Sequence, residues 1–97
     1  MLEVSGGFIL KCDRCGCEKE YGAEVLEPKE AVVLEEKPLG LFIRYGFEAS
    51  IHCECGHLMR ALFSGYEYPE GLHLKDESES RGCSILEPPD IDDETIF

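Results

Sequence analysis

The sequence predicts a mainly β fold, in which a small antiparallel sheet carries a metal site built from cysteines. Three observations lead to this class. Residues 41–53 alternate between apolar and polar side chains, as a half-buried strand does. The cysteines form two tight groups, within residues 12–17 and 53–55, and Cys83 stands apart. The chain has 97 residues, enough for one domain, and so small a core often needs metal or disulfides for stability.

Apolar patterning indicates the strands in chain order. Phe8–Leu10 is a short apolar run, and Cys17–Val25 alternates apolar residues with glutamates. Leu41–Cys53 is the longest alternating segment, and its odd positions form the apolar face. Shorter strands are predicted at His57–Phe63 and around Leu72 and Leu74. The pattern therefore predicts strands along most of the first 74 residues.

Two positions in this pattern are ambiguous. Pro28 is a favourable first residue for a short helix, but Val32 and Val33 suit a strand, so residues 28–37 fit either structure. A helix there would change the class to α+β, and Pro38 would end either element. Gly46, in the middle of the longest strand, predicts a β-bulge.

Charge divides the chain into two parts. The net charge is −12, and half of this excess lies in the last 23 residues. We therefore predict a β domain over residues 1–74 and an acidic, partly flexible tail over residues 75–97. The first residues lack the basic and apolar regions of a signal peptide, and no apolar run approaches the roughly 18 residues of a membrane helix. These features predict a cytoplasmic protein, where thiols stay reduced and clustered cysteines more often bind metal than form disulfides.

Two short cysteine motifs are candidate metal-binding turns. Cys12 and Cys15 form a C-x-x-C-G sequence, and Cys53 and Cys55 form a C-x-C-G sequence that is one residue shorter. Each motif follows a predicted strand. Two thiolates at such spacing chelate one ion, and the glycine tolerates the tight backbone that follows. Other ligand sets remain open at this point, with Cys17, His52 or His57 replacing one cysteine, whereas Cys17 and Cys83 also fit the role of small buried residues.

Over residues 8–64 the arrangement resembles a zinc ribbon, in which two cysteine pairs on neighbouring turns hold one tetrahedral Zn²⁺. The resemblance implies that the ligands of a single structural ion are Cys12, Cys15, Cys53 and Cys55. Four thiolates leave no open coordination position for a substrate or water, so such an ion is structural. The metalloprotease, deaminase, Walker A and Rossmann motifs are absent from the sequence, and we therefore predict no enzymatic activity.

The acidic charge predicts the kind of partner. Nine basic residues are scattered without a run or stripe, which disfavours direct binding to DNA or RNA. A basic protein surface, such as that of a nucleic-acid-handling or defence protein, is the favoured partner. An alternative interpretation is that the charge serves only to keep the protein soluble. The alternative is a zinc-ribbon protein that binds single-stranded nucleic acid through stacking on Tyr45, Phe47, Tyr66 or Tyr68. A homodimer through a long strand near a sheet edge is compatible with the sequence.

The C-terminus resembles the acidic tip of bacterial single-stranded-DNA-binding proteins. The matching residues are Asp90, Asp92, Asp93, Glu94, Ile96 and Phe97. In that family the tip docks on replication and repair enzymes, with the terminal Phe in an apolar pocket and the acids against a basic rim. The resemblance implies a partner-binding role for these residues. The sequence as a whole predicts a non-enzymatic, zinc-stabilised acidic binding protein, in one version an inhibitor that imitates nucleic acid as phage anti-restriction and anti-CRISPR proteins do.

Overall fold

The computed structural model describes residues 2–93, with Asp93 described by its backbone alone. Ten strands account for most of this range, and all of their pairings are antiparallel. The strands are β1 (Leu2–Ser5), β2 (Gly7–Cys12), β3 (Glu18–Gly22), β4 (Glu27–Pro28), β5 (Val32–Lys37), β6 (Gly40–His52), β7 (Leu58–Glu67), β8 (His73–Arg81), β9 (Cys83–Glu87) and β10 (Asp90–Asp93). The mainly β prediction is confirmed.

The larger layer is a five-stranded sheet built on the β6–β7 hairpin. β6 pairs with β7 from Ile43 opposite Glu67 to His52 opposite Leu58. β8 pairs with the other side of β7, and β4 and β5 lie one after the other along the other side of β6. Alternation along β7 buries Met59, Ala61 and Phe63 on one face of this sheet.

The smaller layer is made of two long segments that each bend once. β1 and β2 are joined at Gly6, and β9 and β10 are joined through the two prolines 88–89. β2 pairs with β9 and β3, while β1 pairs with β10. Even-numbered residues of β1 and β2 face the larger sheet and are mostly buried, whereas the odd-numbered ones face outward.

The core lies between the two layers. Phe8 of the smaller layer contacts Phe63 of the larger one edge-on, with ring centroids 5.3 Å apart. Leu2 and Ile91 pack over Gly65, where an added Cβ would lie 2.5 Å from Leu2 and 2.9 Å from Ile91. A glycine is therefore required where the β1–β10 pair closes on β7, and the close approach brings Leu2 and Ile91 into the same core.

Several local predictions are changed by the structure. Residues 28–37 contain no helix: Pro28 ends β4 and Val32–Lys37 is β5, in which Val32 and Val33 pair with β6. The strand predicted over residues 17–25 ends at Gly22, and Ala23–Val25 is a 3₁₀ turn. The bulge predicted at Gly46 is wrong, since β6 and β7 keep their register there, with Gly46 opposite Ser64.

The acidic C-terminal segment is extended up to the last described residue. β8 pairs with β7, β9 with β2, and β10 with β1. The boundary predicted after residue 74 falls within β8, and residues 94–97 lie outside the described range. Only the 3₁₀ turn Ala23–Val25 is helical among the described residues, and no helix there has the length and apolarity that a membrane crossing requires.

Candidate metal centre

Two turns at the same end of the two layers bring four cysteines together. Cys12 is the last residue of β2, and Cys15 lies in the turn that follows it. Cys53 directly follows β6, and Cys55 lies in the turn between β6 and β7. Because β2 belongs to the smaller layer and the β6–β7 hairpin to the larger one, the cysteines join the layers at this end of the core.

The two turns are closed by the same pair of backbone hydrogen bonds. In the first, the Gly16 amide donates to the Cys12 carbonyl at 2.9 Å, and the Cys12 amide donates to the Cys17 carbonyl at 2.9 Å. In the second, the Gly56 amide donates to the Cys53 carbonyl at 2.8 Å, and the Cys53 amide donates to the His57 carbonyl at 2.9 Å. Although the second motif is one residue shorter than the first, its turn is therefore closed by the same two kinds of hydrogen bond.

Both turns use glycine for its backbone conformation. Gly16 has φ of 75° and Gly56 has φ of 88°, which L side chains rarely adopt. An added Cβ would meet open space at either glycine, so backbone conformation and not crowding selects this residue. The glycine after each cysteine pair turns the chain back and directs both thiols toward the same point.

The four sulfur atoms lie within 4.8 Å of one another. The Sγ atoms of Cys15 and Cys53 are 3.4 Å apart, and those of Cys12 and Cys55 are 3.7 Å apart. A tetrahedron of sulfurs at about 2.3 Å from a central zinc ion has edges of about 3.8 Å. None of the four cysteines forms a disulfide bond, and their spacing is compatible with a metal site.

The pKa values of the two cysteines in the first turn are shifted in opposite directions. The backbone amide of Cys15 lowers the pKa of Cys12 to about 6, against an opposing effect of burial. The Cys17 amide lowers the pKa of Cys15, but the Cys53 side chain and burial outweigh it and raise that pKa to about 12. Four thiolates this close repel one another, and a divalent cation would compensate their charge.

The structure separates these four cysteines from the other candidate ligands. Cys17, His52 and His57 are not part of the cluster. Cys17 is exposed, so the prediction that it is a buried residue is wrong, and its thiol instead lies 3.9 Å from the carbonyl of Glu18. Cys83 is buried as predicted, and burial raises the pKa of its thiol.

One element that supports the centre was not predicted from the sequence. Cys83 of β9 lies directly opposite Cys12 in the β2–β9 register, and the Gly82 carbonyl accepts a hydrogen bond of 3.1 Å from the Asp13 amide. The first cysteine turn is therefore anchored by β9 as well as by its own backbone. The signal for this element in the sequence was the Gly-Cys pair at 82–83. The alternation of apolar and polar residues alone does not show that this pair lies beside the first cysteine turn.

A second feature is an acidic face on the outer side of the smaller layer. Six exposed carboxylates project from this side, whereas Lys11 is the basic residue among them. Glu3 of β1 lies directly opposite Asp92 of β10, so two like charges are paired across the strands. We call this surface the acidic face; its residues are Glu3, Glu18, Glu20, Glu87, Asp90 and Asp92.

The predicted partner-binding residues divide at the end of the described range. Asp90 and Asp92 are exposed on β10 and belong to the acidic face, and Asp93 ends that strand. Glu94, Ile96 and Phe97 lie outside the described residues. The carboxylates of β10 are therefore presented from a paired strand.

The predicted stacking residues lie on opposite faces of the larger sheet. Phe47 is buried in the core, and Tyr45 packs against it. Tyr66 is on the other face, 8% exposed, where its ring contacts Phe42 at 5.7 Å and the ammonium of Lys75 at 5.0 Å. Phe47 and Tyr66 are therefore too buried for base stacking, whereas Tyr45 and Tyr68 are half-buried.

Comparison with known proteins adds no relative to this description. No family model matches the chain, and searches of the curated proteins and of solved structures find no significant match.

Proposed function

We propose that this chain is a non-enzymatic binding protein, stabilised by one structural Zn²⁺, whose acidic face docks on a basic protein surface. The observation that carries the proposal is the distribution of charge on the smaller layer, where six outward carboxylates accompany one lysine. The partner class we favour is a protein that handles nucleic acid, including the enzymes of defence systems.

Zinc is the ion that suits the donor set. Four clustered thiolates are soft ligands typical of Zn²⁺ or of iron–sulfur sites, and magnesium or calcium would need oxygen ligands. The closely spaced pairs Cys12–Cys55 and Cys15–Cys53 each join the two layers, so the ion would cross-link them. The zinc-ribbon resemblance supports the same assignment. A small core of this kind gains folding free energy directly from metal binding.

The acidic face favours a basic partner for an electrostatic reason. Like charges directly across a strand pair destabilise it, and the Glu3–Asp92 pair is therefore a cost within the isolated protein. A partner that supplies Lys or Arg against this pair removes that cost on binding. Complementary charge also raises the association rate and makes it sensitive to salt.

The spacing of the carboxylates supports imitation of nucleic acid. Glu18 and Glu20 are two residues apart on β3, as are Asp90 and Asp92 on β10. Two residues of a strand span about 6.8 Å, close to the axial distance between every second phosphate on one strand of DNA. A groove that binds a phosphate backbone through Lys and Arg would therefore find carboxylates at similar intervals.

Affinity capture with matched variants tests the proposal. The tagged full chain is used as bait at about 50 mM and about 500 mM salt. The face variant carries Glu3→Gln, Asp90→Asn and Asp92→Asn, and the control carries Glu30→Gln, Glu35→Gln and Glu36→Gln from exposed positions on the larger layer. Both variants lose the same charge, so a difference between them reports position.

We expect basic proteins to be captured by the wild type and the control at low salt, and to be lost at high salt or with the face variant. Capture of proteins that are not basic, or capture indifferent to salt, would show the proposal to be wrong. Retention of a single-stranded oligonucleotide in a mobility-shift assay at the lower salt would instead support the nucleic-acid-binding alternative.

A further inference from the structure

The open face of the five-stranded sheet, on the side away from the core, carries an arginine pair. Arg60 of β7 and Arg81 of β8 lie directly opposite each other in the strand register. Both are exposed, and Met59 and Ala61 on either side of Arg60 are buried on the core side. The two guanidinium groups therefore project together from the solvent side of the sheet.

The two arginines make no direct ion pair with a carboxylate of the described residues, although Glu48 and Glu79 lie one row away on the same face. Directly opposed residues have Cβ atoms about 5 Å apart, so the two arginines repel each other. Within the part of the chain that the structure describes, neither arginine forms an ion pair, although lysines on the same sheet do. In a protein with 21 acidic residues and nine basic ones, an opposed arginine pair without a carboxylate partner is a notable arrangement.

The pair borders a shallow groove of about 210 Å³. Leu62, Ala61 and Ser80 contribute to its lining, and Glu48 and Glu79 lie one row further along the sheet. These two carboxylates limit the groove on the side of Leu62 and disfavour an extended polyanion there. A compact anion next to the arginines avoids them.

We propose that Arg60 and Arg81 form a binding site for the phosphate group of a small phosphate-bearing ligand. A phosphate dianion would neutralise both guanidinium charges, and arginine binds phosphate oxygens through paired N–H donors. The site lies on the opposite layer from the acidic face, and it does not depend on the proposed protein partner.

Titration of the isotope-labelled protein with inorganic phosphate tests the site. Side-chain Nε–Hε signals of Arg60, Arg81 and Arg44 are followed by NMR, with sodium chloride at matched ionic strength as the salt control. Arg44 lies on the same open face, about 20 Å away along the sheet, and serves as the internal reference. We expect saturable shifts at Arg60 and Arg81 with phosphate and none at Arg44.

Variants make the result specific. Arg60→Gln and Arg81→Gln should each weaken phosphate binding by about tenfold or more, whereas Arg44→Gln should leave it unchanged. Dimethyl phosphate, which carries a single charge, should bind more weakly than phosphate. The proposal is overturned if chloride produces the same shifts, if Arg44→Gln weakens binding as much as the other variants, or if dimethyl phosphate binds equally well. The wild-type titration alone decides the first of these outcomes, so the test survives a variant that does not fold.

Discussion

The sulfur atoms of Cys15 and Cys53 lie 3.4 Å apart although 38 positions separate the two residues in the sequence. Cys15 lies in a turn of the smaller layer and Cys53 in a turn of the larger layer, so this contact joins the two layers at one end of the core. A cross-link between residues so far apart restricts the unfolded chain strongly. An ion held between these thiols would therefore stabilise the fold by joining its two layers, beyond what burial of the small core supplies.

Removing one of the clustered cysteines should release the ion and destabilise the protein. We expect Cys53→Ser to abolish stoichiometric zinc binding, to lower the free energy of unfolding by more than about 2 kcal/mol and to lower the melting midpoint by about 10 °C. Cys17→Ser is the matched control, because Cys17 is exposed and outside the cluster, and it should change the free energy of unfolding by less than about 0.5 kcal/mol. Native mass spectrometry and thermal melts measure both effects. Equal melting midpoints for the two variants would contradict a structural ion.

Thiol alkylation should distinguish the cysteines by environment. In the metal-loaded protein at neutral pH, we expect iodoacetamide to modify Cys17 first, because it is exposed and outside the cluster. The ion protects the four clustered thiols, and Cys83 is buried with its pKa raised by that burial, which disfavours the reactive thiolate. A strong chelator should then expose the four clustered thiols, as peptide mass spectrometry would show. Rapid modification of the exposed Cys15 and Cys55 before chelation would argue against a bound ion.

The sequence predicted the centre well because its signals are local. Leu41–Cys53 has an apolar residue at every odd position, and the observed strand Gly40–His52 differs from it by one residue at each end. The cysteine pairs follow strands in the sequence, and their glycines adopt the positive φ angles that such turns need. Strand period and turn chemistry indicated the two cysteine turns, and the zinc-ribbon resemblance implied the four cysteines that the structure brings within 4.8 Å of one another.

The pairing of strands that are far apart in the chain could not be predicted from the sequence, for physical reasons. β8 is exposed on both faces for almost all of its length, so the apolar residues predicted only a short strand around Leu72 and Leu74 and not the full strand His73–Arg81. The pairing of β1 with β10 joins opposite ends of the described chain, and its register depends on the contact of Leu2 and Ile91 with Gly65. Half of the acidic face, namely Glu3, Asp90 and Asp92, is brought together by that pairing, which composition alone does not reveal.

Gly65 should be among the positions least tolerant of a larger residue. An added methyl group would lie 2.5 Å from Leu2 and 2.9 Å from Ile91, both in the core, so Gly65→Ala forces the β1–β10 pair away from β7. We expect destabilisation of about 1–3 kcal/mol in denaturant unfolding. Gly46→Ala is the control in the same sheet, since its nearest neighbour would be 3.5 Å away, and it should not destabilise the protein. A Gly65→Ala variant as stable as the control would show that the two layers do not meet at β7 as described.

The opposed carboxylates of Glu3 and Asp92 should make the isolated protein less stable than a neutralised variant. We expect Glu3→Gln to raise the free energy of unfolding by about 0.2–1 kcal/mol at low salt, because it removes a like-charge pair across the strands. The gain should shrink at about 500 mM salt, where exposed charges are screened. Glu36→Gln is the control, since Glu36 is exposed opposite Leu41 and removes the same charge without an opposed acid.

Urea unfolding of the three proteins at low and high salt measures the effect. If Glu3→Gln gains no more than Glu36→Gln at low salt, the Glu3–Asp92 pair carries no specific repulsion, and the electrostatic reason for a basic partner at this site is lost. A gain specific to Glu3→Gln, joined to weaker capture of basic proteins by the face variant, would mean that the acidic face favours binding at the expense of stability. That combination is typical of a surface selected for a partner and not for solubility, since solubility would be served equally by carboxylates placed apart.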